Sequence, residues 1–472
     1  MAETSLMGMP LELLVHIIAT YLPTKDLGAL RLTSKYLEKA LFDTFAKEFF
    51  TKKQFMLSTP SLDVLVRISK HAALAPFVKH VIVGLDQYGP SPSYHIWQTV
   101  AQVESYRNGW ADQCTLSSSG RDREMLAEAF RNLPNLDTIG IRDYCADGRV
   151  RDDNRWRSYG APTVQQQTGV GFNTSSSDYA TKVFPMLLQA LADANKHIPS
   201  IEVILRTHGT GLGDFAFFVP SADTKLVPVL DGLQQLLLTL SSGESRGFFL
   251  HNLTGPSLNG LGPARSFSVP TLLEAFLLQT SSLRHLRLNF QRHQSENTEY
   301  ILERLSMANN PLPKLERLDF GMMETTPDLL LQVISKFSTS LRHIGLWKVD
   351  LFPSVLPRWK DAEGRFNPWP RLLKDLLKLP NLALTGIILG CLTHYRNISY
   401  PPVKVNWANG KVSQERSGDM QVFLPPLVDD LRVQWPRASA PDPDEDEEME
   451  EDDDDDGEDD DDDDDEIYYL HY

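Results

Sequence analysis

The sequence predicts a chain of the α+α/β class in three parts: a three-helix module at residues 1–55, an irregular α/β solenoid at 56–435, and a disordered acidic tail at 436–472. Apolar residues recur at helical spacing between two prolines near the N-terminus. Through the body a leucine-rich strand phrase recurs after intervals of 32 and 26 residues. Between 442 and 466, 22 residues are Asp or Glu and none is basic.

The module begins with an amphipathic helix predicted at residues 11–22, whose apolar stripe carries Leu13, Leu14, Ile17, Ile18, Tyr21 and Leu22. Pro10 suits the first helical position, and Pro23 ends the helix. Thr24 and Ser34 can cap two further short helices. A unit of fewer than about 60 residues cannot bury all its large apolar groups within itself. Some of them are therefore expected to meet another surface.

Three phrases in this module follow one another in a fixed order: Met-Pro-x-Glu-Leu-Leu from residue 9, Tyr-Leu-Pro-x-x-Asp-Leu from residue 21, and Leu-Arg-Leu-x-Ser-Lys from residue 30. Together they resemble the F-box, the three-helix module that docks on a Skp-family adaptor in cullin-based ubiquitin ligases. The sequence departs from the family at Met9, where Leu usually precedes Pro, at Thr33, where Val is common, and near Tyr36. The resemblance implies an adaptor-binding set of Met9, Pro10, Leu13, Leu14, Ile17, Ile18, Leu22, Leu27, Leu30, Ser34 and Lys35. The alternative is a helix hairpin that merely completes the core.

The body repeats an amphipathic helix followed by a strand of the form apolar-x-x-apolar-x-apolar. In the clearest copies, the three apolar positions are occupied by Leu283, Leu286 and Leu288; by Leu315, Leu318 and Phe320; and by Leu341, Ile344 and Leu346. In weaker copies, the apolar positions are assigned to Val78, Val81 and Val83; Leu136, Ile139 and Ile141; Ile201, Val203 and Ile204; Leu233, Leu236 and Leu238; and Leu384, Ile387 and Leu389. These units resemble degenerate leucine-rich repeats and predict a stack with a mostly parallel sheet. A compact α/β domain with a similar period is the alternative.

Composition favours an intracellular, soluble protein. No apolar run approaches the roughly 20 residues that span a bilayer, and no signal peptide is evident, so we expect no membrane partner and a cytoplasmic or nuclear location. Cys114, Cys145 and Cys391 are scattered, which excludes a paired zinc motif and a disulfide framework. The chain has 63 acidic and 46 basic residues; setting aside the 22 acids of the tail leaves 41 acids against 46 bases. The body therefore carries a charge of about +5, ordinary to slightly basic. We expect no direct binding of nucleic acid.

Long polar inserts interrupt the repeats at about 84–123, 142–180, 206–226, 241–270, 348–370 and 391–420. Each follows a strand, so all should emerge along one edge of the stack, where loops can form a binding surface. One insert alternates arginine and aromatic side chains, at Arg149, Arg151, Arg155, Trp156 and Arg157. This pattern predicts contact with an anionic substrate protein. The alternative is a solvated loop neutralised by nearby aspartates.

Two short motifs resemble catalytic or cofactor-binding motifs, but the residues around them do not fit such sites. Residues 243–247 fit the G-x-S-x-G elbow around Ser245, but glycine and proline follow where a helix is needed. Three glycines at 209, 211 and 213 suggest a dinucleotide loop, but Asp214 occupies the third glycine position of that motif. No metal-ligand cluster and no phosphate-binding loop is present. The sequence predicts no catalytic residue, no metal and no cofactor.

The F-box resemblance implies a non-catalytic substrate receptor that binds a Skp-family adaptor, and through it a cullin, while the repeat body holds an unidentified protein substrate. It also implies that aspartate at Leu14 and Ile17 together abolishes adaptor binding. The competing hypothesis is a scaffold that acts outside ubiquitin ligases, with the acidic tail binding histones or other basic proteins.

Overall fold

A computed structural model of the chain describes residues 9–89, 99–144, 158–171, 177–207, 211–220, 223–241, 271–290, 295–307, 312–352, 367–394 and 403–433. The N-terminal module consists of three helices, α1 Leu11–Tyr21, α2 Thr24–Thr33 and α3 Lys35–Phe50. They enclose a small core that is separate from the core of the body, formed by Leu14, Ile18, Leu27, Leu37 and Leu41. Phe42 of α3 meets the body through an edge-on contact with the ring of Phe77, at 6.2 Å between centroids.

The body is built on a sheet whose first nine strands, within the described residues, run parallel. They are β1 Lys52–Met56, β2 His80–Gly84, β3 Thr138–Arg142, β4 Ser200–Ile204, β5 Gln235–Thr239, β6 His285–Asn289, β7 Arg317–Thr325, β8 His343–Leu351 and β9 Gly386–Gly390. Each strand pairs with the next one along the chain. Stacked repeats produce this sequential order, whereas a doubly wound sheet changes direction at a switch point. The body is therefore an α/β repeat-type fold.

Helices connect successive strands in most units. They are α4 Thr59–Lys70, α5 Val100–Ser118, α6 Arg121–Asn132, α7 Ala161–Thr168, α8 Ser177–Ala194, α9 Val227–Asp231, α10 Leu272–Leu277, α11 Ser295–Met307, α12 Pro327–Lys336 and α13 Trp369–Leu376. The apolar sides of most of these helices and the apolar positions of the strand phrase form one continuous core. Helix α7 instead packs its Ala161 and Val164 in a smaller cluster with Met56, Tyr88, Tyr106 and Val170. Leu286, Leu318 and Ile344, for example, are register neighbours on three adjacent strands and are all buried.

Strand side chains alternate between two faces, so the residues between the apolar positions lie on the opposite side of the sheet, here called the second face. The register aligns them into rows, the first of which holds Lys52, His80, Thr138 and Ser200. Ile204 belongs to this face. The sequence prediction that placed Ile204 in the core was therefore wrong; Ile198, before the strand, fills the first apolar position of that copy together with Ile201 and Val203.

Three adjacent strand segments share a backbone kink that the sequence pattern did not reveal. Met322, Lys348 and Cys391 have φ values of 53°, 52° and 50° and lie in corresponding register positions. A left-handed residue of this kind shifts the side-chain alternation by one position, as in a β-bulge. The core side chains therefore change from Leu346 before the kink to Val349 and Leu351 after it. In two of these units, β8 and the segment that follows β9, the strand structure continues into residues that the sequence assigned to an insert.

The C-terminal end of the sheet is closed by antiparallel strands and a helix: β10 Leu392–His394, β11 Val403–Trp407, β12 Ser413–Ser417, α14 Met420–Asp429 and β13 Leu431–Val433. The second half of β8 pairs with β10, and β10 pairs with β11, which pairs with β13. β12 pairs with β9 along all five of its residues. The described residues of the predicted insert at 391–420 are thus mostly regular structure that covers the last repeat.

Two other predicted inserts also contain helices. The segment 84–123 carries α5, and 142–180 carries α7 and the start of α8. Helix α5 escaped detection because Tyr106 and Leu116 are its only fully buried residues, so it has almost no apolar stripe. Its start is fixed by a capping box in which Thr99 Oγ1 accepts from the Gln102 amide and Gln102 Oε1 accepts from the Thr99 amide. The strand β1 lies in the segment predicted as the first domain, yet it pairs with β2 of the body.

A largely buried ion pair joins two consecutive repeat helices. Arg304 of α11 donates from Nε and Nη2 to the two carboxylate oxygens of Glu274 in α10, at 2.8 and 3.0 Å. We expect Glu274→Gln to lower the free energy of unfolding by about 3 kcal/mol, because a guanidinium then loses its charged partner inside the protein. Urea unfolding measures the loss.

The matched control is Glu316→Gln. Glu316 pairs with Arg284 at 2.9 Å, but both of these side chains are exposed, and such pairs contribute less than about 1 kcal/mol. Equal losses in the two variants would contradict a structural role for the buried pair.

Candidate functional site

Helix α1 divides its apolar residues between two directions. Leu14 and Ile18 are 1% and 2% exposed and lie in the module's core, whereas Leu13 and Ile17 are 52% and 40% exposed. Leu13, Ile17 and Tyr21 are spaced four residues apart and therefore lie along one side of the helix. We call these three residues the docking face. Such an exposed apolar stripe is typical of a surface that another protein covers.

The corner between α2 and α3 adds two more exposed apolar groups, Leu32 and Tyr36. The corner itself is rigid, because the Ser34 hydroxyl accepts a hydrogen bond of 3.1 Å from the amide of Leu37 and caps α3. The Arg31 guanidinium lies 3.7 Å from the centroid of the Phe45 ring and ties α2 to α3. These contacts fix the backbone of the corner, and the Leu32 and Tyr36 side chains remain exposed on it.

The predicted adaptor-binding residues separate into three groups in the structure. Leu14, Ile18 and Leu27 form the module's own core. Met9, Leu22, Leu30 and Ser34 are partly covered, and Pro10, Leu13, Ile17 and Lys35 are exposed. Contact of these residues with an adaptor stays a prediction, and the exposed group is the one available for direct contact. Leu11, Tyr21, Leu32 and Tyr36 are exposed as well and were missing from the predicted set.

Other predicted features lie outside the described residues. They include the substrate-binding set Arg149, Arg151, Arg155, Trp156 and Arg157, the elbow around Ser245, and the acidic tail. Of the glycine-rich loop, Gly211 and Gly213 are described. The Gly213 amide donates to Thr181 Oγ1 at 2.9 Å. The Gly211 backbone lies against the end of β5, where an added Cβ would come within 2.3 Å of the Ser241 amide nitrogen. Gly211 thus serves close packing of two backbone segments.

A polar cluster lies on the second face of β1–β4 and joins Lys52, His80, Arg142 and Glu202. Glu202 Oε2 is 3.6 Å from Arg142 Nη2 and 3.8 Å from His80 Nε2. The distance to Arg142 allows attraction between opposite charges, and both distances exceed good hydrogen-bond length. The Arg142 side chain is 2% exposed, although it carries a full charge. Burial lowers the pKa of Lys52, and the nearby Arg142 charge lowers it further.

His80 is neutral in this cluster at physiological pH. Burial shifts its pKa well below 6.5, and the positive charges of Lys52 and Arg142 add to the shift. The His80 ring lies over Gly140, where an added Cβ would come within 2.9 Å of Nε2. Gly140 therefore leaves the space that this ring occupies.

The depressed pKa predicts a loss of stability in mild acid. Unfolded His80 takes up a proton near pH 6.5, whereas folded His80 does so only at lower pH, so stability is complete above 6.5 and falls as pH decreases toward the folded pKa. We expect His80→Gln to reduce this slope by up to about 1.4 kcal/mol per pH unit between pH 6.5 and 5. Urea unfolding at several pH values measures it. His71→Gln is the control, since His71 is exposed, and an unchanged slope in His80→Gln would contradict the prediction.

A cavity of about 310 Å³ lies on the helical side between α5, α6 and α8. Asp122 and Tyr179 line it, and burial raises the pKa of both groups.

Among the described residues, no group of three or more His, Cys, Asp or Glu is arranged to hold a metal ion. None of the helices in the described ranges is long and apolar enough to cross a bilayer.

The sequence did not single out the polar cluster, although a signal for it exists. Its members occupy the variable positions of the strand phrase, between the apolar residues. Aligning the copies by their apolar positions places His80 beside Thr138 and Gly140 beside Glu202. Comparing the polar positions of neighbouring repeat copies, aligned in this way, would therefore have identified this polar cluster from the sequence.

No protein-family model and no curated protein sequence matches the chain. Two solved structures are similar to it. The Rad7 and Elc1 complex in yeast has 13% sequence identity and a TM-score of 0.23, over 79% of this chain and 85% of that chain. The leucine-rich repeat-containing protein LegL7 from Legionella pneumophila has 13% identity and a TM-score of 0.25, over 76% and 92%. Similarity at this level carries no functional inference.

Proposed function

We propose that the protein is a non-catalytic substrate-recognition subunit of a Skp-cullin-F-box ubiquitin ligase. In this role the three-helix module binds a Skp-family adaptor, the adaptor connects to a cullin, and the repeat body holds a target protein. The receptor makes and breaks no covalent bond; it raises the effective concentration of a target lysine near the ubiquitin donor. The proposal places the protein in the cytoplasm or nucleus.

The observation that supports this proposal best is the docking face. The module carries the ordered F-box-like phrases, and α1 turns Leu13, Ile17 and Tyr21 outward while Leu14 and Ile18 complete an internal core. A module with a closed core and an exposed apolar stripe suits stable binding of a second protein, since the stripe is buried only in the complex. The repeat-type body supports the second half of the role, because stacked repeats provide long surfaces for protein partners.

A titration tests the proposal directly. The purified chain is mixed with a purified Skp-family adaptor, and complex formation is followed by calorimetry and by size-exclusion chromatography. We expect a complex with one adaptor per chain. A chain that stays monodisperse and binds no adaptor would overturn the proposal and would leave the scaffold hypothesis, in which the acidic tail binds basic proteins.

A further inference from the structure

The cavity on the helical side of the body is large enough to hold a small molecule. Its volume of about 310 Å³ lies at the lower end of the range found for ligand pockets, and one water molecule occupies only about 30 Å³ of the liquid. An apolar wall surrounds much of this space, formed by Leu57, Leu116, Val183, Pro185 and Met186. The first three of these side chains are buried and belong to the continuous core, which fixes the shape of the cavity.

The cavity is accessible from solvent. Ser117, Arg123 and Lys182 line it together with the apolar wall, and all three residues are exposed. They therefore mark the open side of the cavity, through which a ligand can enter.

One carboxylate lies within this largely apolar space. Asp122 is the second residue of α6 and is 6% exposed. Its Oδ1 accepts a hydrogen bond of 2.8 Å from the Arg123 amide. Burial nevertheless raises the pKa of Asp122, and this effect exceeds the opposing effects of the backbone hydrogen bonds and of the Arg123 charge. The carboxylate is therefore buried without enough positive charge nearby to replace its lost hydration.

The two cations that line the cavity do not supply that charge. Arg123 directs its Nε to Asp193 and forms an ion pair with it at 3.1 Å. Lys182 is exposed, so water hydrates its ammonium group and salt screens its charge. Among the lining residues, Asp122 is thus the charged group that faces the space from a buried position.

Tyr179 adds a neutral polar group to the cavity. Burial raises the pKa of its phenol, and the negative charges of Asp122 and Asp86 raise it further, so the phenol keeps its proton. Asp86 does not line the cavity, and it accepts a hydrogen bond from the Ser158 hydroxyl. The phenol therefore responds to negative charge on its surroundings and contributes no positive charge of its own.

These features select a ligand with an apolar body and a cationic head. An ammonium group can donate a hydrogen bond to the Asp122 carboxylate and neutralise its charge at the same time. An alcohol can donate a hydrogen bond but leaves the buried charge in place, and an anion would be repelled by it. The hydrocarbon part of the ligand gains from leaving water for the apolar wall.

We propose that the cavity between α5, α6 and α8 binds a primary ammonium group on an apolar body, with the ammonium held by Asp122 and the body packed against Leu116, Val183 and Met186. A free amine and the lysine side chain of a partner protein share this chemistry. The inference goes beyond the proposed function and does not depend on it, because the cavity lies in the repeat body and the docking face lies in the N-terminal module.

The first experiment compares three matched probes by fluorine NMR of the full chain: 4-fluorobenzylamine, 4-fluorobenzyl alcohol and 4-fluorobenzoate. At neutral pH the amine is a cation, the alcohol is neutral and the benzoate is an anion. We expect the amine to bind about tenfold more tightly than the alcohol, the difference made by one hydrogen bond between charged groups. The benzoate should bind more weakly than either.

Three variants test where the probes bind. Asp122→Asn should remove the preference for the amine and keep the binding of the alcohol, because the substitution preserves the shape of the cavity. Glu124→Gln is the matched control and should keep the preference, since Glu124 lies in the same first turn of α6 but is exposed. Met186→Trp fills part of the space and should weaken binding of the amine and the alcohol alike. This variant keeps the test decisive if Asp122→Asn does not fold, which circular dichroism checks.

A competition experiment separates the two sources of the ammonium group. An acetylated and amidated Gly-Lys-Gly peptide, and its counterpart with Nε-acetyllysine, are added to the chain with bound 4-fluorobenzylamine. Displacement by the lysine peptide alone assigns the cavity to a lysine side chain of a partner protein. Displacement by neither peptide assigns it to a free amine, and displacement by both contradicts a requirement for the ammonium group.

Further outcomes of the probe titrations would also overturn the proposal. Equal affinity for the amine and the alcohol means that the Asp122 charge does not select the ligand. Tighter binding of the benzoate means that Lys182 and Arg123 at the open side govern binding. If no probe binds, the cavity holds only water, and if Met186→Trp binds the amine as tightly as the wild-type chain does, the probe binds elsewhere. Adaptor binding by the module is unaffected in all these cases.

Discussion

On the proposed function, replacing Leu13 and Ile17 together with aspartate should weaken binding of a Skp-family adaptor by about a thousandfold, because apolar anchors at an interface are each worth about 2 kcal/mol or more. Both side chains are exposed in the free protein, so the change removes interface contacts without opening the module's core. Calorimetry with purified adaptor measures the loss, and circular dichroism checks that helix content is kept.

The structure changes how this experiment must be designed. The sequence pointed to Leu14 and Ile17 as the pair to mutate, but Leu14 is buried among Ile18, Leu27, Leu37 and Leu41. A charge at Leu14 would unfold the module, and lost binding would then say nothing about its surface. The matched control is Val100→Asp with Val103→Asp on α5, two exposed apolar positions outside the module. Full adaptor affinity in the Leu13 and Ile17 variant would contradict the docking face.

The repeat body could be predicted because its signal is local. Each unit places a helix stripe and a strand phrase within about 30 residues, and the spacing of Leu283, Leu286 and Leu288 alone fixes which side chains enter the core. The register then follows, since a slip by one residue would turn every core side chain to the second face. The exception was Ile204, where two consecutive apolar residues left the phase ambiguous.

The C-terminal strands could not be predicted in the same way. Strand β12 has the sequence Ser-Gln-Glu-Arg-Ser and contains no apolar residue at all. It exists because its backbone groups pair with β9, from Ser413 opposite Gly390 to Ser417 opposite Gly386. The alternation of Val403, Val405 and Trp407 in β11 was a usable signal. Pairing between segments that are 20 or more residues apart is set by tertiary contacts, which single-sequence patterns do not contain.

The candidate sites show the same division. The three short helices of the module could be predicted from ordered apolar and proline positions, but which apolar residues turn outward depends on how the three helices pack. Leu13 and Leu14 are neighbours in sequence and have opposite roles. The polar cluster of Lys52, Arg142 and Glu202 depends on the register of strands whose residues are up to 150 positions apart in sequence.

Replacing Trp369 is expected to cause a large loss of folding stability. The sequence placed it at the end of an insert, but it is the first residue of α13 and is 0% exposed. Its indole nitrogen donates to the Thr393 carbonyl at 2.9 Å and so links the helix to β10. We expect Trp369→Ala to lower the free energy of unfolding by about 3–5 kcal/mol, because it leaves a large cavity and an unpaired carbonyl. Urea unfolding measures this change.

Trp110→Ala provides the matched control, since Trp110 lies on α5 and is 38% exposed. Its removal should cost clearly less than the removal of Trp369, because a substantial part of the Trp110 side chain already faces solvent. The contrast tests whether the C-terminal strands are part of the folded repeat stack, because Trp369 connects the last helix of the parallel sheet to the first strand of the closing segment. Similar losses in the two variants would mean that β10 and the strands beyond it contribute little to stability. A large loss only in Trp369→Ala would support a capping role for these strands at the last repeat, as is typical of terminal units of repeat proteins.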